Sequence, residues 1–274
     1  MDFLAFCRVQ GILIDHLPLM GEWKRYPTED HPRSRNGAVK YLGTHGFAQN
    51  HALSTEVSLW QSEEKYDIKK QESISKAVQD AERDKLKRQK EAADKAAFIL
   101  KNSQFAQHQY LKDKGFPDEH GYVYVKEGIP LLVIPMRVNN SLVGVQLIDP
   151  DGNKKFLFGQ RTSNAEFIFD NKGPHIFCEG YATALSIRMA LKNLKRRYTI
   201  HVCFSAGNML KVSDGMQGHI VADNDESKTG ENTAKRIGLP FWISEVIGED
   251  FNDFQRRIGL FRAGQSLTQS LKFG

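Results

Sequence analysis

The chain contains few cysteines and no closely spaced cysteine pair. Its 274 residues include only Cys7, Cys178 and Cys203, which are scattered and offer no disulfide framework. A zinc ribbon needs four Cys or His ligands in paired spacing. The first 61 residues offer five candidate ligands and no close pair: Cys7, His16, His31, His45 and His51. We therefore expect neither disulfides nor structural zinc.

Long apolar runs are also missing. No segment approaches the roughly 20 apolar residues that a membrane-spanning helix needs. Residues 1–20 are moderately apolar, but Asp2, Arg8 and Asp15 interrupt them. A signal peptide would instead place its positive charge before an unbroken apolar run. These absences predict a cytoplasmic protein without a membrane partner.

The remaining composition is that of an ordinary globular protein with room for about two domains. The formal net charge is +5 and the isoelectric point is near 9.0, which suits a polyanionic partner. Changes in composition predict five segments. They are an N-terminal basic β module (1–61), a charged helical linker (62–104), a β-rich subdomain (105–172), an α/β domain (173–254) and a C-terminal tail (255–274).

The N-terminal module combines cations with aromatic residues. Asn36-Gly37 is typical of a two-residue hairpin turn, which predicts a small β-ribbon. Its cations are Lys24, Arg25, Arg33, Arg35 and Lys40, and the interleaved aromatics are Trp23, Tyr26, Tyr41 and Phe47. Cations for phosphates and flat rings for unstacked bases favour single-stranded nucleic acid. The alternative is a solvated basic hairpin with an aromatic core.

Residues 62–104 are rich in Lys, Arg, Glu, Asp and Ala and contain no Gly or Pro. Acid–base pairs three or four residues apart predict an exposed helix. Its apolar stripe of Ile68, Ile74, Val78 and Ala81 is too thin to bury a wide face. We interpret the segment as a helical spacer, with a coiled-coil partner helix as the alternative.

Residues 105–172 begin with a predicted helix ending at Gly115, followed by apolar runs separated by turns at 138–141 and 149–152. This pattern predicts an antiparallel meander. Lys154 and Lys155 follow the DPDG turn, and Arg161 and Arg137 are further cations of the same segment. They are candidates for binding nucleotide or template, against the alternative of solvated lysines at a strand end.

Residues 173–254 alternate short apolar runs with helical segments, which predicts a parallel sheet with right-handed crossovers. Glu179 directly follows the apolar run HIFC, and Asp223 and Asp225 follow the apolar run HIVA. Ligands bind beyond the carboxyl ends of such strands, so the three carboxylates are expected to meet at one edge. Mg²⁺ relieves their repulsion and prefers oxygen ligands. The pattern predicts a magnesium site for phosphoryl chemistry.

These motifs carry a family resemblance. CEGYATALS, ADND and EDFND, with the upstream segments HQYLKDKG and LLVIPMRVNNSLVGVQLIDPDGNKKFLFG and the turn FSAGN, resemble the Toprim-domain DNA primases of bacteria, phages and plasmids. The resemblance covers roughly residues 105–254 and, more weakly, 22–50. It implies a Toprim fold, which is a Rossmann-like parallel sheet, preceded by the β-rich subdomain. For a phage-encoded chain the compartment would be the host cytoplasm.

The resemblance also implies roles. Asp223 and Asp225 would hold Mg²⁺, or Mn²⁺, carrying a ribonucleoside triphosphate. Glu179 would complete the metal site or act as general base. Asp253 is a candidate accessory ligand, and Asp250 is either another ligand or a helix N-cap. Ser205 and Asn208 of the SAGN turn would support the acidic edge.

The leading hypothesis is a primase that makes short RNA primers on a single-stranded DNA template. Because no GxxxxGK[ST] motif is present, we expect a separate replicative helicase as partner, with residues 260–274 as a candidate docking tail. The alternatives are a Toprim-fold nuclease and a non-catalytic accessory that binds single strands. Cys178, Cys203, His175 and His219 are expected to be structural.

Overall fold

The computed structural model describes residues 1–53, 56–62 and 68–271, without the side chains of residues 68–75 and 77. The described residues form a mixed α/β structure with eight helices and three sheets. The chain divides into two compact units, Met1–Lys87 and Arg88–Gly274. Among the described residues, none of the helices combines the length and the apolar composition that crossing a bilayer requires.

The first unit packs a short helix on a four-stranded antiparallel sheet. Its elements are α1 (Phe3–Val9), β1 (Trp23–Tyr26), β2 (Gly37–Tyr41), β3 (His45–Asn50) and β4 (Ser58–Gln61), with strand order β1-β2-β3-β4. Asp2 caps α1 by accepting a hydrogen bond from the Ala5 N–H. The core holds Phe3, Cys7 and Val39. A β-rich module was predicted, and the structure contains it.

The predicted turn at Asn36-Gly37 is wrong. Gly37 is the first residue of β2 and pairs with Tyr26 at the end of β1, so ten residues connect the two strands rather than two. Gly37 is needed for space, because an added Cβ would lie 2.9 Å from Ile12 and 3.1 Å from the Tyr26 carbonyl oxygen. The short hairpin lies instead between β2 and β3, at Gly43, whose φ is +79°.

Helix α2 (Ile68–Lys101) confirms that most of the charged segment is helical. Ion pairs on its exposed surface include Lys90 with Asp94 at 2.9 Å. Residues 63–67, and the side chains of Ile68 and Ile74, lie outside the described residues. The interpretation as a mere spacer is wrong for its C-terminal part, where Ala96 and Ile99 are buried against Val133 and Val145 of the second unit's antiparallel sheet. The sequence pattern did not reveal this short packing face, because small alanine side chains do not stand out as an apolar stripe.

The second unit contains a five-stranded antiparallel sheet in sequential order. Its elements are β5 (Gln104–Ala106), α3 (Gln109–Asp113), β6 (Gly121–Lys126), β7 (Ile129–Val138), β8 (Ser141–Ile148) and β9 (Lys154–Phe156). The predicted turn between β7 and β8 is confirmed, with Asn139 and Asn140 both at positive φ and Val138 paired with Ser141. The meander is therefore present where the apolar runs and turns predicted it.

A second, partly parallel sheet follows. Its elements are β10 (Phe167–Asp170), β11 (His175–Cys178), α4 (Tyr181–Asn193), β12 (Thr199–Val202), α5 (Ala206–Val212), β13 (His219–Ala222), α6 (Thr229–Ile237) and β14 (Phe241–Ile243). The order is β10-β12-β11-β13-β14. Strands β11 to β14 pair in parallel, as predicted. Strand β10 adds an antiparallel edge from before residue 173.

The C-terminal segment is helical and packed. It forms α7 (Phe251–Ile258) and α8 (Leu260–Leu271), and the side chains of Ala263, Leu267 and Leu271 are fully buried in the main core. Trp242 of β14 donates a hydrogen bond to Ser266 at 3.0 Å. The described part of the expected docking tail therefore belongs to the fold, and residues 272–274 lie outside the described residues.

Candidate functional site

Two acidic residues meet at the carboxyl edge of the parallel sheet. Glu179 directly follows β11 and Asp223 directly follows β13, and these strands are parallel neighbours. Both side chains line a cavity of about 460 Å³ in the second unit. Cys178, just before Glu179, is buried within the core, so strand alternation directs the glutamate away from it.

A third carboxylate reaches this cavity through the loop after β14. The Gly248 N–H donates to the Asn224 carbonyl at 2.6 Å, and the Asn224 N–H donates to the Glu249 carbonyl at 3.3 Å. These bonds bring Asp250 to the cavity wall beside Glu179 and Asp223. Asp250 also caps α7, because its carboxylate accepts from the Asp253 N–H at 2.9 Å. The sequence left two roles open for Asp250, and the structure shows that it both caps α7 and lines the cavity.

Asp223 has an unusual electrostatic environment. Burial, and then the nearby charges of Glu179 and Asp250, raise its pKa to about 7, although Lys154 opposes the shift. Its Oδ1 atom is buried without a hydrogen-bond partner. A buried unpaired carboxylate oxygen is costly unless a proton or a cation satisfies it. The residue is therefore suited to bind a cation near neutral pH.

Lys154 and a backbone N–H group both stabilise the charged form of Glu179. Burial raises its pKa, while the positive charge of Lys154 and a hydrogen bond from the Ala206 N–H oppose that rise. Ala206 begins α5, whose N-cap is Ser205. The SAGN segment is therefore the start of a helix rather than an isolated turn, and its first N–H orients the glutamate.

Asp225 has a different local role. Its carboxylate accepts hydrogen bonds from the backbone N–H groups of Thr229 at 3.1 Å and Gly230 at 3.0 Å, and from the Ser227 hydroxyl. Burial acts to raise its pKa, but these hydrogen bonds outweigh burial and lower it. Among the described residues, those that line the cavity include Asp223 but not Asp225. The structure therefore brings together Glu179 and Asp223, and anchors Asp225 at the start of α6.

The cavity is also lined by cations. Lys154 of β9 lines it, as do Lys114 after α3 and Arg256 of α7. Lys114 and Arg256 were not predicted as site residues. Their signals were present, since Lys114 lies in the KDKG segment and Arg256 is three residues beyond Asp253, one turn along a helix.

Two hydrogen-bonding residues were also missed: Tyr110, which lines the cavity, and Asn252, which contacts the lining residue Lys114. The hydroxyl of Tyr110 is buried without a hydrogen-bond partner, and Tyr110 lines the cavity. Asn252 is fully buried and donates to the Lys114 carbonyl at 3.0 Å and to the Ser186 hydroxyl at 2.9 Å. Tyr110 can donate to a bound ligand, and Asn252 positions the backbone of Lys114.

The N-terminus of α4 opens into the same cavity. Its N-cap, Gly180, provides no side-chain cap, and Gly180, Ala182 and Thr183 all line the cavity. Gly180 has φ −103°, a backbone conformation that any residue adopts, so the turn itself does not require a glycine. An uncapped helix N-terminus instead presents free N–H groups that suit a phosphate.

Other predicted residues of the second unit lie elsewhere. Lys155 neighbours Lys154 on β9 and therefore faces the opposite side of the strand. Arg137 donates to the Asn140 carbonyl at 3.0 Å, and Arg161 donates to the Ser163 carbonyl at 3.2 Å. Asp253 lies 4.0 Å from Lys114 in an ion pair. Among the described residues, none of these four lines the cavity.

The side chains of Asn208 and Ser205 form hydrogen bonds with backbone groups of the protein. The Asn208 side chain donates to the carbonyls of Ala165 and Cys203, each at 2.8 Å, and accepts from the Asn164 N–H at 2.8 Å. Ser205 caps α5 by accepting from the Asn208 N–H at 3.2 Å. Both residues secure the loop that orients Glu179.

The N-terminal cations belong to the first unit. Lys24, Arg25 and Arg35 line a cavity of about 680 Å³ that also includes Arg8. Arg33 is exposed in the connection between β1 and β2, and Lys40 lies on β2 between Trp23 and Phe47. Among the aromatic residues, Tyr26 and Tyr41 belong to the core. Sequence order alone did not separate these surfaces.

The donor set of the second unit fits a hydrated magnesium ion. Within the described residues, no three His, Cys, Asp or Glu side chains already surround a common point in metal-binding geometry. Mg²⁺ retains several waters and commonly uses one or two carboxylates plus substrate phosphates. Asp223, with its unpaired buried oxygen, and the neighbouring Glu179 and Asp250 supply such ligands.

Comparison with known proteins adds no relative: no protein-family model matches the chain, and no curated protein matches it.

Proposed function

We propose that the chain is a DNA primase of the Toprim class, which joins ribonucleotides into short primers on single-stranded DNA. One observation carries the proposal: the acids Glu179, Asp223 and Asp250 share a cavity with Lys154, a residue of the antiparallel sheet. A polymerase needs carboxylates for divalent cations and positive charge for the template or the triphosphate. The resemblance of the motifs to Toprim primases supports the same assignment.

In this proposal Asp223 and Asp250 hold the divalent cation, and its positive charge would offset the charge that develops on the α-phosphate. Lys154, Lys114 and Arg256 bind the polyphosphate, together with the free N–H groups at the start of α4. Glu179 accepts the proton of the attacking 3′-hydroxyl, since its raised pKa brings it closer to neutral pH. The Ala206 N–H keeps that carboxylate oriented.

Asp225 acts indirectly in this scheme. By binding the N–H groups of Thr229 and Gly230, it fixes the turn that follows Asp223. Its removal would shift Asp223 as well as change the local charge. A catalytic role as direct metal ligand, which the resemblance implies, would require its carboxylate to leave these hydrogen bonds when the ion binds.

The proposed partners are a single-stranded DNA template, ribonucleoside triphosphates and a separate replicative helicase. The helicase rests on the resemblance alone. Since the apolar side of α8 is packed into the fold, docking would use its exposed side, which includes Phe261 at 58% exposure.

The test is incorporation of labelled ribonucleotides on a single-stranded template with Mg²⁺. We expect short products from the wild-type chain, none from Asp223→Asn, and near wild-type amounts from Lys155→Ala, a neighbouring cation that faces away from the cavity. Degradation of the template without new products would favour the nuclease. Template binding with neither synthesis nor degradation would favour the non-catalytic accessory. Both outcomes contradict the primase proposal.

A further inference from the structure

The four-stranded sheet of the first unit has two faces of different character. One face carries Tyr26, Val39, Tyr41, Ala48 and Trp60, which pack with α1 in the core. The strand pairings assign nine alternating positions to the opposite face: Trp23, Arg25, Ala38, Lys40, His45, Phe47, Gln49, Leu59 and Gln61. We call this set the open face.

A row of large side chains crosses the open face. Trp23 pairs with Lys40, Lys40 with Phe47, and Phe47 with Leu59. Directly paired residues of an antiparallel sheet lie side by side, and the rings of Trp23 and Phe47 are 6.3 Å apart between centroids. Trp23 is 50% exposed and Leu59 is 58% exposed. The row therefore offers flat and apolar surface across all four strands.

The charge on this face has one sign. None of its nine strand positions is Asp or Glu, whereas Arg25 and Lys40 are cations. Arg25 also lines the cavity at β1 that contains Lys24, Arg35 and Arg8. The aromatic row thus leads, through Arg25, to a cavity at the edge of the sheet whose four Lys and Arg side chains outnumber its two acids, Asp15 and Glu29. An extended polyanion with flat, unstacked rings matches both features.

We propose that the open face binds single-stranded DNA, with bases stacked on Trp23 and Phe47 and phosphates paired with Lys40 and Arg25. This inference rests on the proposed function for its choice of DNA, because a primase must hold its template. It also separates the predicted cations of this unit: Lys40 and Arg25 lie beside the stacking surface, and Arg33 lies in the connecting loop. Sequence alone placed all of them in one cluster.

The test is equilibrium binding of a fluorescent oligothymidylate of about 20 nucleotides to the full chain in EDTA, without nucleotides. Trp23→Ala is expected to weaken binding about tenfold, since stacking contributes roughly 1–3 kcal/mol per base. Trp23→Phe keeps a ring and is expected to stay within about twofold of the wild type. Val9→Ala is the matched control, because Val9 is an exposed apolar residue of α1, the helix that covers the other face.

The charge component has its own readout. Lys40→Gln is expected to flatten the plot of log affinity against log salt by about 0.7, the value for one phosphate contact on a single strand, and Trp23→Ala is expected to leave the slope unchanged. Thermal melts verify that each variant is folded. If Trp23→Ala unfolds the unit, the salt slope of Lys40→Gln still decides the question.

The proposal is overturned if folded Trp23→Ala binds like the wild type, if Val9→Ala weakens binding equally, or if Lys40→Gln leaves the salt slope unchanged. Tighter binding to oligouridylate RNA of the same length would also overturn the assignment to DNA. These outcomes are independent of catalysis, because Mg²⁺ and nucleotides are absent. A chain that binds through the open face but makes no primers would contradict the proposed function alone.

Discussion

The carbonyl oxygen of Asp223 occupies the space that a side chain on Gly230 would need. A Cβ added at Gly230 would lie only 2.2 Å from that oxygen, and the Gly230 N–H donates to Asp225 at 3.0 Å. Helix α6 therefore begins in direct backbone contact with the acidic edge. Residues 223–225 and Gly230 therefore form one structural unit.

Gly230→Ala should consequently disturb both stability and activity. Because backbone would have to move, we expect a loss of about 2 kcal/mol in the free energy of unfolding, typical of overpacking, together with reduced primer synthesis. Gly207→Ala is the matched control, since a Cβ there would meet nothing within 4 Å and alanine favours the helix α5. Denaturant unfolding of both variants checks this prediction. Equal stability of the two variants would contradict the contact.

Asp223 should make stability depend on pH. Its folded-state pKa of about 7 exceeds the ordinary value of 3.8, so the folded state holds a proton that the unfolded chain releases, and stability falls as pH rises from about 4 to about 7. At about 1.4 kcal/mol per pKa unit, the penalty above that window is at most about 4 kcal/mol. We expect Asp223→Asn to be more stable than the wild type at pH 8 and equal to it near pH 4.

Thermal melts with and without Mg²⁺ extend this measurement. A cation that binds Asp223 stabilises the folded wild type, so Mg²⁺ at pH 8 should raise its melting temperature more than that of Asp223→Asn. An Asp223→Asn variant that is less stable than the wild type at every pH would show that burial of the charged Asp223 carboxylate does not destabilise the folded state.

Lys154 should tune both acids, because its charge opposes the rise in pKa of Asp223 and Glu179. Lys154→Gln is expected to move the acidic limb of the pH–activity profile to higher pH and to raise the KM for nucleotide. Lys155→Gln, on the other side of β9, is expected to change neither. The comparison uses pH-dependent kinetics of ribonucleotide incorporation. A shift of the same size in both variants would assign the effect to general surface charge.

Asp250 and Asp253 can be separated by conservative substitutions. Asparagine caps helices about as well as aspartate, so Asp250→Asn should preserve α7 while removing a cavity charge. We expect activity to fall at least about tenfold in Asp250→Asn, the order of effect of losing one charge-assisted contact. Activity should change little in Asp253→Asn, since Asp253 pairs with Lys114 at 4.0 Å but is not among the described residues that line the cavity. Circular dichroism verifies the helix in each variant, and the reverse order of activities would exclude Asp250 as the third acid.

The sequence predicted those parts of the site that depend on strand ends. An apolar run followed by an acid places that acid at the carboxyl edge of a parallel sheet, which is why Glu179 and Asp223 could be paired although 43 residues separate them in the chain. Asp225 follows the same pattern, but its hydrogen bonds depend on the left-handed turn at Lys228 and the start of α6. Periodicity carries no information about that turn.

Contacts between distant elements were the main source of error. The pairing of Asn224 with Gly248 and Glu249 brings Asp250 into the cavity, and no local pattern specifies it. The same holds for Arg256, which shares the cavity with Lys154, and for β10, which pairs with β12 rather than with the meander. The Asn36-Gly37 dipeptide has the composition of a tight turn, but Ile12 and Tyr26 close around Gly37 and require its lack of a side chain.

Anomalous diffraction from crystals grown with Mn²⁺ and a ribonucleoside triphosphate would show whether the acids of the cavity bind a divalent cation. We expect a peak in the cavity, at about 2.0–2.3 Å from Asp223 Oδ1, the range for a hard divalent cation with oxygen ligands. The triphosphate should lie between that ion and Lys154. A cavity without such a peak at saturating Mn²⁺, or an ion bound elsewhere while the carboxylates of Glu179 and Asp223 remain unliganded, would contradict this expectation.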